Sequence, residues 1–89
     1  MTLKIQRAAD GDMVVFALSG RIERGRVAEL QRLLTSEASN HRIVLDLREV
    51  DLVDRDTVRF LVRCAADGIQ LEHCPAYIRE WIVRERDGK

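Results

Sequence analysis

No stretch of this sequence stays apolar for long. The longest such run, Met13 to Leu18, is six residues, against the ~20 a helix needs to cross a bilayer. No basic N-terminus leads into a greasy segment, so a signal peptide is not expected. Direct membrane insertion is not expected either, and the expected location is the cytoplasm. Charge of one sign is also missing: fifteen acids balance fifteen bases, for a formal net charge of zero. A nucleic-acid binder carries a basic excess, so no nucleic-acid partner is expected. Lysine is confined to Lys4 and Lys89, and the remaining bases are arginine. Cysteine is limited to Cys64 and Cys74, which in a chain that reads as intracellular are expected as free thiols. There is no Cys-x-x-Cys or His-x-x-x-His spacing to support zinc ligation by Cys64, His73, Cys74 and His41. There is no glycine-rich phosphate loop to support nucleotide chemistry. No metal and no cofactor are expected. Internal repeats, linkers and low-complexity segments are absent as well.

What remains is a single domain over residues 1–89, with 46% apolar residues. A chain this short buries only about 60–65% of its unfolded surface, so its stability margin is narrow. The stretch from Arg42 to Leu61 organises the rest. Ile43-Val44-Leu45 is a short, largely β-branched run that reads as a strand covered on both faces. An acid-rich loop carrying Asp46, Glu49, Asp51 and Asp54 is expected next. A helix then begins at Asp54, whose carboxylate can accept from the free N–H groups of the first turn. Val53 before that cap and Val58 four positions into the helix have the spacing of a hydrophobic staple.

Upstream, Leu3-Lys4-Ile5-Gln6 alternates like an edge strand. Asp10-Gly11 supplies a tight turn, and Met13 to Leu18 reads as an interior strand that Ser19-Gly20 ends. Val27, Leu30, Leu33 and Leu34 recur at helical spacing, and polar residues from Ser36 to His41 close that helix. The second helix is expected from about Arg55 to Asp67, with Val58, Leu61, Val62 and Ala65 on its apolar face. Gly68 suits a left-handed stop. Ile69 to Glu72 alternates again, and Pro75 opens a last helix in which Ile78, Ile82 and Trp81 face the core. The order β-β-α-β-α-β-α predicts an α/β fold: a mixed four-stranded sheet with one antiparallel N-terminal edge strand, and three helices.

Asp46, Asp51, Asp54 and Asp56 have the composition of a magnesium or phosphotransfer site. Capping and helix-dipole complementarity account for the same residues. A receiver-like site would also want a lysine near a later strand end, and there is none. Cys74 has no identifiable base for nucleophilic chemistry. Tyr77 and Trp81, four apart, read either as a cap on the core or as an exposed anchor pair. Arg55, Arg59 and Arg63 form a stripe on the polar face of the second helix. It reads as a solvated face with local ion pairs to Asp56 and Asp67, or as a protein-contact surface.

Two segments taken together resemble a known family. Phe16-Ala-Leu-Ser-Gly-Arg-Ile-Glu23 is similar to the strand-to-helix signature of STAS domains, the sulfate-transporter and anti-sigma-factor-antagonist domains. Arg42-Ile-Val-Leu-Asp-Leu-Arg-Glu-Val-Asp-Leu-Val-Asp54 resembles their central strand and loop. The resemblance covers most of the chain, which stops where many members add another strand and helix. It implies a bacterial, non-enzymatic module of transcription regulation that binds an anti-sigma factor or GHKL-type kinase. It implies alternatively a subunit of a phospholipid-transporting ABC complex bound to its ATPase. In the family the loop continues as Asp-Ser-Ser-Gly, and a serine there is phosphorylated to break the complex. Here the matching residues are Asp54-Arg55-Asp56-Thr57, so the serine switch is not expected. Thr57, one place out of register, is the one candidate phosphoacceptor. The expected partner surface comprises Asp51, Asp54, Arg55, Asp56, Thr57, Arg59 and Arg63. Exposed edge strands leave homodimerisation open.

Overall fold

The computed structural model describes residues 3–88. Its elements follow the predicted order: β1 (Lys4–Asp10), β2 (Met13–Ile22), α1 (Arg24–Ala38), β3 (Arg42–Val53), α2 (Arg55–Ala66), β4 (Gln70–Glu72) and α3 (Ala76–Gly88). The sheet order is β1-β2-β3-β4, antiparallel between β1 and β2 and parallel thereafter. Two parallel steps in one direction, each through a right-handed crossover, put α1 and α2 on the same face. α3 packs beside α2.

The hairpin turns as its chemistry dictates. Asp10 pairs with Met13, leaving Gly11-Asp12 as a two-residue loop in which Gly11 takes φ +65°. Glycine adopts that conformation without a Cβ clash.

Two expectations about the strands need correction. The second strand does not stop at Ser19-Gly20 but continues to Ile22. Gly20, at φ +88°, lies between register shifts that bulge the ladder without ending it. The acid-rich segment after Leu45 is not a loop. It is the second half of β3, paired through Ser19↔Glu49, Gly20↔Val50 and Ile22↔Val53. Here the buried residues are Leu47, Val50 and Val53, three apart and not two. Extra bulge residues break the strand period and make the sequence read as irregular.

The two faces of β2 are covered unequally. Along β2 the buried residues are Val14, Phe16, Leu18, Gly20 and Ile22, while Met13, Val15, Ala17 and Ser19 are half-buried. The even-numbered apolar residues join Leu30, Leu34, Leu45, Leu47, Val58, Phe60, Leu61, Ile78 and Ile82 in one core. The odd-numbered ones do not. Ile43, Val44 and Leu45 are all buried, as expected of a strand covered on both faces, although Val44 lies outside that core.

On α2 the buried set is Thr57, Val58, Phe60, Leu61 and Cys64. Val62 is half-buried and Ala65 exposed, so the apolar stripe is turned from the predicted one. Cys64 and Cys74 are both free. Burial pushes the Cys64 thiol up to about 12 and raises Cys74 in the same direction. With the folded pKa of Cys64 above its ordinary 9.0, the folded state keeps a proton that the unfolded chain releases. Its contribution is intact below pH 9 and is lost as pH rises toward 12. Thiol-reagent kinetics at pH 8 should show Cys74 reacting in the native protein and Cys64 reacting only at the rate of unfolding. Equal native rates would contradict this placement.

A capped corner beside a clamped arginine pair

The candidate site is the corner where β3 hands over to α2. Asp54, in extended backbone, is the N-cap, and its Oδ1 accepts from the Thr57 backbone N–H at 2.9 Å. Val53 and Val58 on either side are both buried in the core, the placement a staple requires. Thr57 Oγ1 lies 2.7 Å from Asp54 Oδ1 and 2.9 Å from the Ile22 carbonyl oxygen. Its single hydroxyl proton is shared between two acceptors, which ties the start of α2 to the end of β2. Thr57 is completely buried. The candidate phosphoacceptor is therefore a core residue whose hydroxyl is already engaged, not a surface group.

The other predicted residues separate into groups. Asp51 lies on β3, and its carbonyl oxygen accepts from the Tyr77 hydroxyl at 2.6 Å. Burial, followed by the nearby Asp51 charge, raises the Tyr77 pKa. Tyr77 is 46% exposed, as is Leu52 next to Asp51. Trp81 is half-buried against the core. So the two aromatics do different work: one pins β3 from the surface and the other packs inward. Sequence reading passed over Leu52 because the segment reads as an acid-rich loop, in which one apolar residue carries no signal. Only the bulged register turns it outward.

Arg55 and Arg59 converge on α3. Their Nε atoms lie 3.3 and 3.4 Å from the two carboxylate oxygens of Glu85, whose side chain is 19% exposed. Arg63 leaves that stripe. Eight residues along a helix turn through about 80°, and Arg63 instead lines a cleft of about 160 Å³ with Leu34, Phe60, Cys64 and Asp67. Replacing Glu85 by alanine should cost under about 1 kcal/mol, because pairs this exposed gain little over water. Thermal melting of Glu85→Ala checks this, and a loss of several times that would make Glu85 a structural strut.

The predicted acid group does not converge on one point. Asp46 Oδ1 accepts from the Arg48 backbone N–H at 3.0 Å and lies 3.3 Å from His73 Nδ1, while Arg48 Nη2 lies 3.0 Å from His73 Nε2. Arginine only donates, so Nε2 accepts and the ring proton sits on Nδ1, facing Asp46. Asp46 is thus engaged beside β4, and Asp54 at the first turn of α2. Among the described residues no group of three or more His, Cys, Asp or Glu is placed to hold a metal ion. No helix among them is long and apolar enough to cross a membrane.

A family model described as "Mlab, STAS domain" matches residues 5–79. No curated protein matches. Among solved structures, one titled "Crystal Structure Analysis of Mglu" is 29% identical, with a TM-score of 0.60 over 75% of this chain. The match spans only 18% of that protein's chain. The same protein in its native form gives 25% identity and a TM-score of 0.57, over 74% of this chain and 21% of that one. An uncharacterised DUF3478-family protein from Shewanella loihica PV-4, described as having a SpoIIAA-like fold, gives a TM-score of 0.56. It is 14% identical, over 73% of this chain and 57% of that one, and bears on the fold alone. The match over residues 5–79, most of the chain, leads to one conclusion: the chain belongs to the STAS domain family.

Proposed function

We propose that the protein is a non-enzymatic docking module that grips a protein partner through the corner from Asp51 to Thr57 and the adjoining face of α2. The observation that carries this reading is the exposed Leu52, set beside Asp51 and Asp54 and flanked by Tyr77. An exposed apolar residue with charged and hydrogen-bonding groups beside it has the anatomy of a binding hot spot. Arg55 and Arg59 extend the surface, held in place by Glu85. STAS domains are generally non-enzymatic, and the resemblance implies an anti-sigma factor or GHKL-type kinase as partner. Docking here runs without a serine phospho-switch.

A second reading is a STAS subunit bound to the ATPase of a phospholipid-transporting ABC complex. It is favoured by the Thr57 hydroxyl, which is engaged inside the fold and serves a constitutive contact better than a switched one. Capture from cell extract with the wild-type chain, beside Leu52→Asp and Arg59→Glu variants, tests both. A GHKL-type kinase or an ABC ATPase retained by the wild type and lost from both variants identifies the machine. Either protein retained equally by all three chains would refute the docking corner.

A further inference from the structure

The sheet has two edges, and they are built differently. β4 forms one with three residues, and a strand that short discourages further pairing. β1 forms the other with seven residues. It pairs with β2 on one side and with no strand on the other among the described residues. Its ladder runs from Lys4 to Asp10 without a shift, and the strand holds no proline. Bulges and prolines commonly close an edge to another strand, and β1 has neither. It is exposed along its length except at Ile5. α1 packs on β2 and β3, and α2 on β4, so the helix layer sits back from this edge.

The hairpin decides which backbone groups are open. Asp10 and Met13 close a two-residue loop, and residues that close such a loop exchange hydrogen bonds. Alternation then turns the N–H and C=O of Asp10, Ala8, Gln6 and Lys4 toward β2. Those of Ile5, Arg7 and Ala9 point outward, a donor and an acceptor at each. A second β1, antiparallel with Arg7 on the two-fold axis, pairs Ile5 with Ala9 and Arg7 with its own copy. That register satisfies every outward group. A register two residues away leaves one residue's groups unpaired on each strand. The side chains favour the same register. Lys4 falls opposite Asp10 of the second copy, and Asp10 opposite its Lys4, at the closer-spaced positions of the ladder. Both residues are exposed. A charged edge residue ordinarily repels another strand, and here each end charge meets its opposite. Arg7 meets Arg7, but Glu37 holds each guanidinium, with Nε 2.8 Å from Oε2 and Nη2 3.3 Å from Oε1. Acid and base therefore balance at the axis. We infer that β1 is the interface of a homodimer, in which two four-stranded sheets join edge to edge into one continuous sheet.

A seven-residue edge buries less than the ~1,200 Å² of a standard interface. A weak dimer is therefore expected, with Kd roughly 100 µM. The contact lies at the edge of the sheet opposite β4. It leaves the capped corner of each α2 open, and it does not depend on what those corners bind.

Sedimentation equilibrium of the full chain in low salt, from about 10 µM to about 2 mM to bracket that Kd, should show the mass climbing from 10.2 kDa toward twice that value. Over the same range the amides of Ile5, Arg7 and Ala9 should gain protection from hydrogen exchange, while Gln6 and Ala8 stay unchanged. Ala9→Pro removes an outward N–H and no bond to β2, a place where edge strands accept proline. It should hold the chain at the monomer mass with an unchanged circular dichroism spectrum. Lys4→Glu sets a carboxylate against Asp10 at both ends of the contact and should weaken dimerisation about tenfold. Adding Asp10→Lys restores opposite charges at both ends and should return the wild-type affinity. A wild-type chain that stays at the monomer mass across the whole range would overturn the inference. So would a dimer that Ala9→Pro and Lys4→Glu both leave intact, or a Lys4→Glu loss that Asp10→Lys fails to recover.

Discussion

A Thr57→Glu variant should fail to hold the native fold at ambient temperature, or melt at least about 15 °C lower than the wild type. The position is completely buried, and its two acceptor neighbours, the Ile22 carbonyl and the Asp54 carboxylate, offer a new carboxylate only repulsion. An uncompensated buried charge costs roughly 3–5 kcal/mol. A domain of this length has about twice that to lose. Two milder changes separate the contributions. Thr57→Ser keeps the hydroxyl and deletes one methyl, for a loss of about 1 kcal/mol. Thr57→Val keeps the volume but leaves the Ile22 carbonyl unpaired, for about 1–3 kcal/mol. The order of melting temperatures by circular dichroism should therefore be wild type, serine, valine, glutamate. A phosphate carries more charge than a carboxylate, so a folded glutamate variant melting within a few degrees of wild type would reopen position 57 as a phosphoacceptor.

The same residue shows where sequence reading worked and where it stopped. Asp54 was legible as an N-cap because capping is local chemistry, decided by one side chain and the three residues after it. The strand and helix order was legible because periodicity is local too. The second half of β3 was not. Its pairing partner lies some thirty residues away, and the bulges that make the ladder fit set Leu47, Val50 and Val53 at intervals that look like neither helix nor strand. With the strand missed, Leu52 passed for an ordinary apolar residue and Thr57 for a surface hydroxyl. The arginine stripe was legible from helical spacing, and all three side chains are exposed, but which of them share an acid was not legible. Only the position of α3 shows that Arg55 and Arg59 share Glu85 while Arg63 lines a different cleft. Nor could periodicity show that the two faces of β2 are covered unequally. A continuous apolar run such as Met13 to Leu18 looks the same whether its second face is covered by helices or left bare.

Leu52→Asp should cut affinity for the protein partner by about thirtyfold or more, equivalent to about 2 kcal/mol at a hot-spot position. The melting temperature should stay within about 2 °C of wild type, because the residue is already 46% in water and exposed substitutions change stability little. The split between the two readouts carries the argument. A residue that merely braced the corner would lower both. Tyr77→Phe supplies the contrast. It removes the hydroxyl that donates to the Asp51 carbonyl without touching Leu52, and should cost about 1 kcal/mol of stability. Because that bond fixes the β3 end that presents Leu52, binding should fall only as far as the corner loosens, a few-fold at most. Isothermal titration against the captured kinase or ATPase, with paired melts, measures both quantities on the same samples. Should Leu52→Asp bind like wild type while Tyr77→Phe loses most of its affinity, the contact would centre on Tyr77 and the start of α3. The anchor would then lie one element away from the capped corner of α2.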